Sequence, residues 1–82
     1  NILNTDLNLL KVFRALYEHK NQSIAAKQIN MSQPAMSHAL KRLKATFNDE
    51  LFLRVDGGYV PTHQADQLAL PIIDALASLE KS

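Results

Sequence analysis

Residues 23–47 read SIAAKQINMSQPAMSHALKRLKATF, and two helix starts lie inside them. Ser23 stands where it can cap a short helix over Ile24 to Asn30, whose apolar positions are Ala25, Ala26 and Ile29. Asn30 to Ser32 then form a tight turn. Ser32 can cap a second helix reaching about Phe47, with Pro34 in its first turn, where a missing N–H costs no helical hydrogen bond. At 100° per residue Met36, Leu40, Leu43 and Phe47 fall within about 60° of one another and must face a core. That fixes the opposite face. It carries Pro34, His38, Lys41, Arg42 and Ala45, with Ala35 and Ser37 on its flanks and Gln33 projecting from the helix start. No carboxylate interrupts this face, and its amide, hydroxyl and cationic groups suit base edges and phosphates.

Working outward, Leu7, Leu10, Phe13 and Tyr17 recur at helical spacing from Asp6 to about His19, beside a second stripe of Leu9, Val12 and Leu16. So broad an apolar face implies contact on two sides. Downstream, Asp49 and Glu50 read as a polar turn, and Leu51 to Val55, Asp56-Gly57-Gly58 and Tyr59-Val60 carry a hairpin signature. Pro61 cannot continue a ladder, and Thr62 can cap a final helix that runs to the chain end. That helix holds Ala65, Ala69, Ile72, Leu76 and Leu79 at spacings of 4, 3, 4 and 3, a heptad-like seam with Leu68, Leu70 and Ile73 nearby. The excess apolar surface favours a partner helix, although burial on the first helix accounts for part of it, and Pro71 is expected to bend the helix locally. The predicted fold is mostly α: a winged helix-turn-helix of three helices and a hairpin over residues 1–61, then a long linker or dimerisation helix over 62–82.

Composition agrees with a small folded unit. The chain has 82 residues, 46% apolar and 21% charged, which fits one domain and excludes a disordered tail. Zero cysteines remove disulfides, thiolate metal sites and cysteine nucleophiles together. No apolar run approaches the roughly 18 to 20 residues that span a bilayer, and Asn1 to Thr5 is too short and polar for a signal peptide. A chain that begins at Asn1 and ends inside a helical pattern is expected to be a piece of something longer. The net charge is only +1, but Lys20, Lys27, Lys41, Arg42 and Lys44 fall between residues 20 and 48 without a single acid. A local basic block inside a neutral chain points to a polyanion on one face. His19, His38 and His63 lack ligand spacing, and no nucleophile, base and orienting group occur in motif order, so neither a metal, a cofactor nor an enzyme is expected.

Ser32-Gln33-Pro34-Ala35-Met36-Ser37 resembles the recognition-helix signature of LysR-type transcriptional regulators, and Leu51-Phe52-Leu53-Arg54 resembles that family's L-F-x-R wing motif. The family's Ala-Ala pair falls on Ala25 and Ala26, and its T-x-x-A on Thr62 and Ala65, so four motifs match in order over nearly the whole chain. The resemblance implies the N-terminal DNA-binding domain and linker helix of a bacterial, cytoplasmic, nucleoid-associated regulator. It also implies a dimer on an interrupted inverted repeat, with a small-molecule effector bound by a domain outside this chain. Carried over by position, it sets Ser32, Gln33 and Pro34 at the start of the DNA-reading helix, with Gln33 and Pro34 at base edges. Ser37 and His38 take further DNA-facing positions, His38 standing where an arginine is frequent, and Arg54 is the wing arginine of the minor groove. The residues themselves add Lys41 and Arg42 as phosphate partners, Ser23 at a helix start that can hold a phosphate, and Ala69, Ile72, Leu76 and Leu79 as the dimerisation seam. Asp56-Gly57-Gly58 departs from the family pattern by placing an acid where a basic residue is common at the wing tip. The rival reading is a winged-helix protein-interaction module without DNA binding, against which the acid-free run of residues 19 to 48 weighs.

Overall fold

The computed structural model describes residues 6–81; Asn1 to Thr5, read above as too short for a signal peptide, and Ser82 lie outside the described residues. The Asp6 side chain accepts from the Asn8 N–H at 2.8 Å and starts α1 (Leu7–His19), which ends on Lys20 in the left-handed conformation at φ 55°. Both predicted stripes of α1 are used except at Leu7, which is 51% exposed: Leu9, Leu10, Val12, Phe13, Ala15 and Leu16 are buried, Tyr17 is half-buried, and the helix packs on α2 (Gln22–Gln28), α3 (Gln33–Phe47) and α4 (His63–Lys81).

The boundaries of α2 differ from the sequence expectation. Asn21, not Ser23, is its cap, the Asn21 side chain accepting from the Ile24 N–H at 3.0 Å. The helix therefore begins two residues earlier, which leaves the Ser23 hydroxyl to accept from Gln33 Nε2 at 2.9 Å. It also closes earlier, at Gln28, because Asn30 adopts φ 58° and the Met31 N–H returns to the Ala26 carbonyl at 2.8 Å. Ser32 caps α3 as expected, accepting from the Ala35 N–H at 3.2 Å. At the other end Gln64 Nε2 donates to the Phe47 carbonyl at 3.2 Å, satisfying one of the orphan acceptors of a helix C-terminus.

The hairpin forms as β1 (Phe52–Val55) and β2 (Gly58–Pro61), antiparallel, with Phe52 opposite Pro61, Leu53 opposite Val60 and Arg54 opposite Tyr59. Pro61 closes the ladder at its last position. Leu51, fully buried, adopts φ 64°, a left-handed conformation that costs a branched residue about 1–2 kcal/mol. Asp49 holds it there: one carboxylate oxygen accepts from the Leu51 N–H at 2.9 Å and from the Thr62 hydroxyl at 2.6 Å. Thr62 in turn caps α4, accepting from the Ala65 N–H at 3.1 Å. Hairpin base and helix start are thus one hydrogen-bonded unit.

α4 continues through Pro71, which supplies no N–H to the helix there. Its Ala65, Ala69, Ile72 and Leu76 join Phe13, Leu16, Met36, Leu43, Leu51 and Phe52 in one hydrophobic core. The outer edge of the α1–α4 contact is polar: Arg14 forms a two-pronged ion pair with Glu80 at 2.9 and 2.8 Å, and the Tyr17 hydroxyl donates to Asp66 at 2.8 Å.

Candidate nucleic-acid interface

Met36, Ala39, Leu40 and Leu43 are buried on the inner side of α3, with Phe47 half-buried, so the helix has one orientation available. Gln33, Pro34, Ala35, Ser37, His38, Lys41, Arg42 and Ala45 are all exposed on its outer side. Neither Lys41 nor Arg42 has an ion-pair partner among the described residues, so both charges are available to an anion. Lys44 is not: it pairs with Glu50 at 3.3 Å. The basic block of the sequence therefore does not form a single cationic face. Lys20 caps the end of α1, its ammonium 5.5 Å over the Tyr17 ring.

The N-terminal end of α3 and the wing face each other across a cleft of ≈ 550 Å³, lined by Gln22, Ser23 and Gln33 on one side and by Arg54, Asp56 and Tyr59 on the other. Gln33 enters this cleft with its amide nitrogen on Ser23 Oγ, so the side chain is aimed before any ligand arrives. The Arg54 guanidinium lies 5.3 Å over the Tyr59 ring and donates to the Tyr59 hydroxyl at 3.2 Å. Stacking on an aromatic face orients an arginine without consuming its charge.

Sequence reasoning missed two participants. The Tyr59 ring packs against Phe52, and its hydroxyl donates to Gln22 Oε1 at 2.8 Å. Gln22 is the first residue of α2 and donates to Ser37 Oγ at 2.7 Å. No local pattern marks either role, because the partners are 15 and 37 positions apart. The wing itself is pinned to the α1–α2 corner by a main-chain bond, the Tyr59 N–H donating to the Lys20 carbonyl at 2.8 Å.

Of the four residues expected against a partner helix, Ala69, Ile72 and Leu76 are covered by the chain's own core, and Leu79 is 55% exposed. The described residues contain no group of three or more His, Cys, Asp or Glu that could hold a metal, and no helix long and apolar enough to cross a membrane.

Residues 7–66 match the family described as bacterial regulatory helix-turn-helix protein, lysR family. The HTH-type transcriptional regulator SyrM of Rhizobium etli is 43% identical over 81 residues, 99% of this chain and 24% of that protein, so the chain spans about a quarter of the relative's length. Among solved structures, the probable transcriptional regulator PA0477 from Pseudomonas aeruginosa superposes with a TM-score of 0.93 at 45% identity, over 98% of this chain and 27% of that one. The chain in the CbnR_DBD-DNA complex superposes with a TM-score of 0.85 at 25% identity, over 94% of this chain and 88% of that one.

Proposed function

Because the chain belongs to the LysR family of bacterial regulatory helix-turn-helix proteins, we propose that it reads duplex DNA with α3 in the major groove and the 52–60 wing at the adjacent minor groove. The observation that carries this reading is the outer face of α3, exposed and free of acids, with Gln33 aimed into the cleft that the wing arginine closes. Gln33 and Ser37 are the base-reading groups, Pro34 offers an apolar edge to a thymine methyl, and Lys41, Arg42 and His38 serve phosphates. Ser23 and Ser32 lie where the backbone of the duplex passes, and Arg54 reaches the minor groove.

The domain works as a pair. Residues 62–82 are the linker helix, and a second copy covers its remaining apolar stripe, where Leu68, Ala75 and Leu79 lie within about 40° of one another. Ala69, Ile72 and Leu76 back that stripe from inside the domain. Two-fold symmetry then calls for an interrupted inverted repeat, its half-sites near multiples of roughly 34 Å apart. A regulator of this kind acts in the bacterial cytoplasm on the nucleoid, and a small-molecule effector would act through a domain outside these residues.

The test is selection of bound duplexes from a random library, followed by affinity measurement for Gln33→Ala. The variant should lose about 1–3 kcal/mol on the selected duplex and almost nothing on mixed-sequence DNA. Equal losses on both would remove Gln33 from base reading.

A further inference from the structure

Arg54, Tyr59, Gln22 and Ser37 form a chain of hydrogen bonds that runs in one consistent direction. Arg54 Nη2 donates to Tyr59 Oη at 3.2 Å, Tyr59 Oη donates to Gln22 Oε1 at 2.8 Å, and Gln22 Nε2 donates to Ser37 Oγ at 2.7 Å. A guanidinium can only donate, so the tyrosine oxygen accepts from it and sends its single proton on to Gln22. At the other end Gln22 Nε2 also lies 3.4 Å from the Gln33 carbonyl oxygen, an atom that can only accept, which favours the amide nitrogen on the α3 side. With the nitrogen donating to Ser37 Oγ, the serine proton is left to point away from Gln22, out of the exposed side of α3.

From this we infer that Gln22 is a positioning residue that makes Ser37 a hydrogen-bond donor toward DNA and ties the wing arginine to the recognition helix. Ser37 then offers its proton to acceptors such as guanine N7 and O6, adenine N7, thymine O4 or a phosphate oxygen, and keeps only one lone pair for an amino group of cytosine or adenine. The wing and the major-groove helix are read out together, because a shift of Arg54 in the minor groove passes through Tyr59 to the amide that orients Ser37. A duplex that suits one contact but not the other loses part of both. The inference rests on the DNA-binding reading.

The experiment uses the 82-residue chain and two probes: the duplex selected from a random library by the unmodified chain, and a mixed-sequence duplex of the same length. Affinities are measured by fluorescence anisotropy for Gln22→Leu, Ser37→Ala, Arg54→Ala and the two doubles that combine Gln22→Leu with each of the others. Each single variant should lose about five- to tenfold on the selected duplex. Each double should lose less than the product of its singles by more than about twofold, the signature of residues acting through one network. A repeat selection with Gln22→Leu should relax the same base positions as Ser37→Ala. Tyr59→Phe, which keeps the ring on Phe52 and deletes the hydroxyl, should reproduce the Gln22→Leu loss if that variant melts early. Losses that multiply independently, or base preferences left unchanged by Gln22→Leu and Tyr59→Phe, overturn the role of Gln22. An unmodified chain that binds both duplexes alike, or neither, overturns the DNA-reading function as well, so the two failures are distinguishable.

Discussion

The wing can be displaced by a single methyl group. A Cβ built on Gly58 would stand 2.0 Å from the Lys20 carbonyl oxygen and 3.2 Å from its carbon, both main-chain atoms that cannot swing aside. Carbon and carbonyl oxygen normally approach no closer than about 3.3 Å, so Gly58→Ala must push β2 away from the α1–α2 corner by more than about 1 Å. The same carbonyl accepts from the Tyr59 N–H at 2.8 Å, and a shift of that size breaks the bond. Tyr59 is only 8% exposed, so its N–H is left without a ready replacement, a cost of about 2 kcal/mol. For a domain of this length that is roughly 8–16 °C in Tm. Gly57→Ala is the control. Nothing lies within 4 Å of its Cβ, and its φ of 85° costs only the left-handed strain, about 1 kcal/mol. Thermal unfolding by circular dichroism, with amide exchange at Tyr59, measures both. A Gly58→Ala chain that melts within about 3 °C of the unmodified one, with the Tyr59 amide still protected, would refute the close approach.

Lys41→Ala should weaken selected and mixed-sequence duplexes alike and reduce the slope of log affinity against log salt by roughly 0.9, one phosphate contact; an unchanged slope would place Lys41 in solvent. The Asp49 carboxyl is held below its usual range by the Thr62 hydroxyl first and the Leu51 N–H second. Its contribution is therefore complete above the ordinary carboxylate pKa and lost as pH falls through the lower folded value. Asp49→Ala should melt below the unmodified chain at pH 7, with the gap closing in strong acid; a gap independent of pH would assign the effect to something other than the carboxylate. Leu79→Glu should lower the sedimentation coefficient without changing the melt, because Leu79 is exposed, whereas Leu76→Glu should unfold the chain, because Leu76 is 2% exposed. An unmodified chain that sediments as a monomer at micromolar concentration would take the partner away from this stripe.

Element order was legible in the residues because the determinants are local. The turn around Asn30 to Ser32, the caps at Ser32 and Thr62, the Gly57-Gly58 bend and the Met36–Leu40–Leu43 stripe each act within a few positions, so reading them in order yields three helices, a hairpin and a fourth helix. It also yields the exposed side of α3, since the face opposite a buried stripe is fixed by helical geometry. Ser23 and Asn21 were not separable this way. Both are good caps two positions apart, and the choice between them goes with the bond from Gln33 to Ser23, ten positions along the chain. Lys44 reads as a free cation until α3 and the following turn are placed, and only then does Glu50 lie 3.3 Å away. The apolar seam of α4 shows the same limit. Periodicity states that Ala69, Ile72, Leu76 and Leu79 share a side, but the domain's own core buries the first three and leaves Leu79 55% exposed. Gln22 is the furthest from sequence reading: an amide has no preferred partner of its own, and its bonds with Tyr59 and Ser37 exist only because packing brings them to opposite ends of it. Propensity and periodicity act over a few residues, whereas which side chains meet across a cleft is settled by the packing of whole elements.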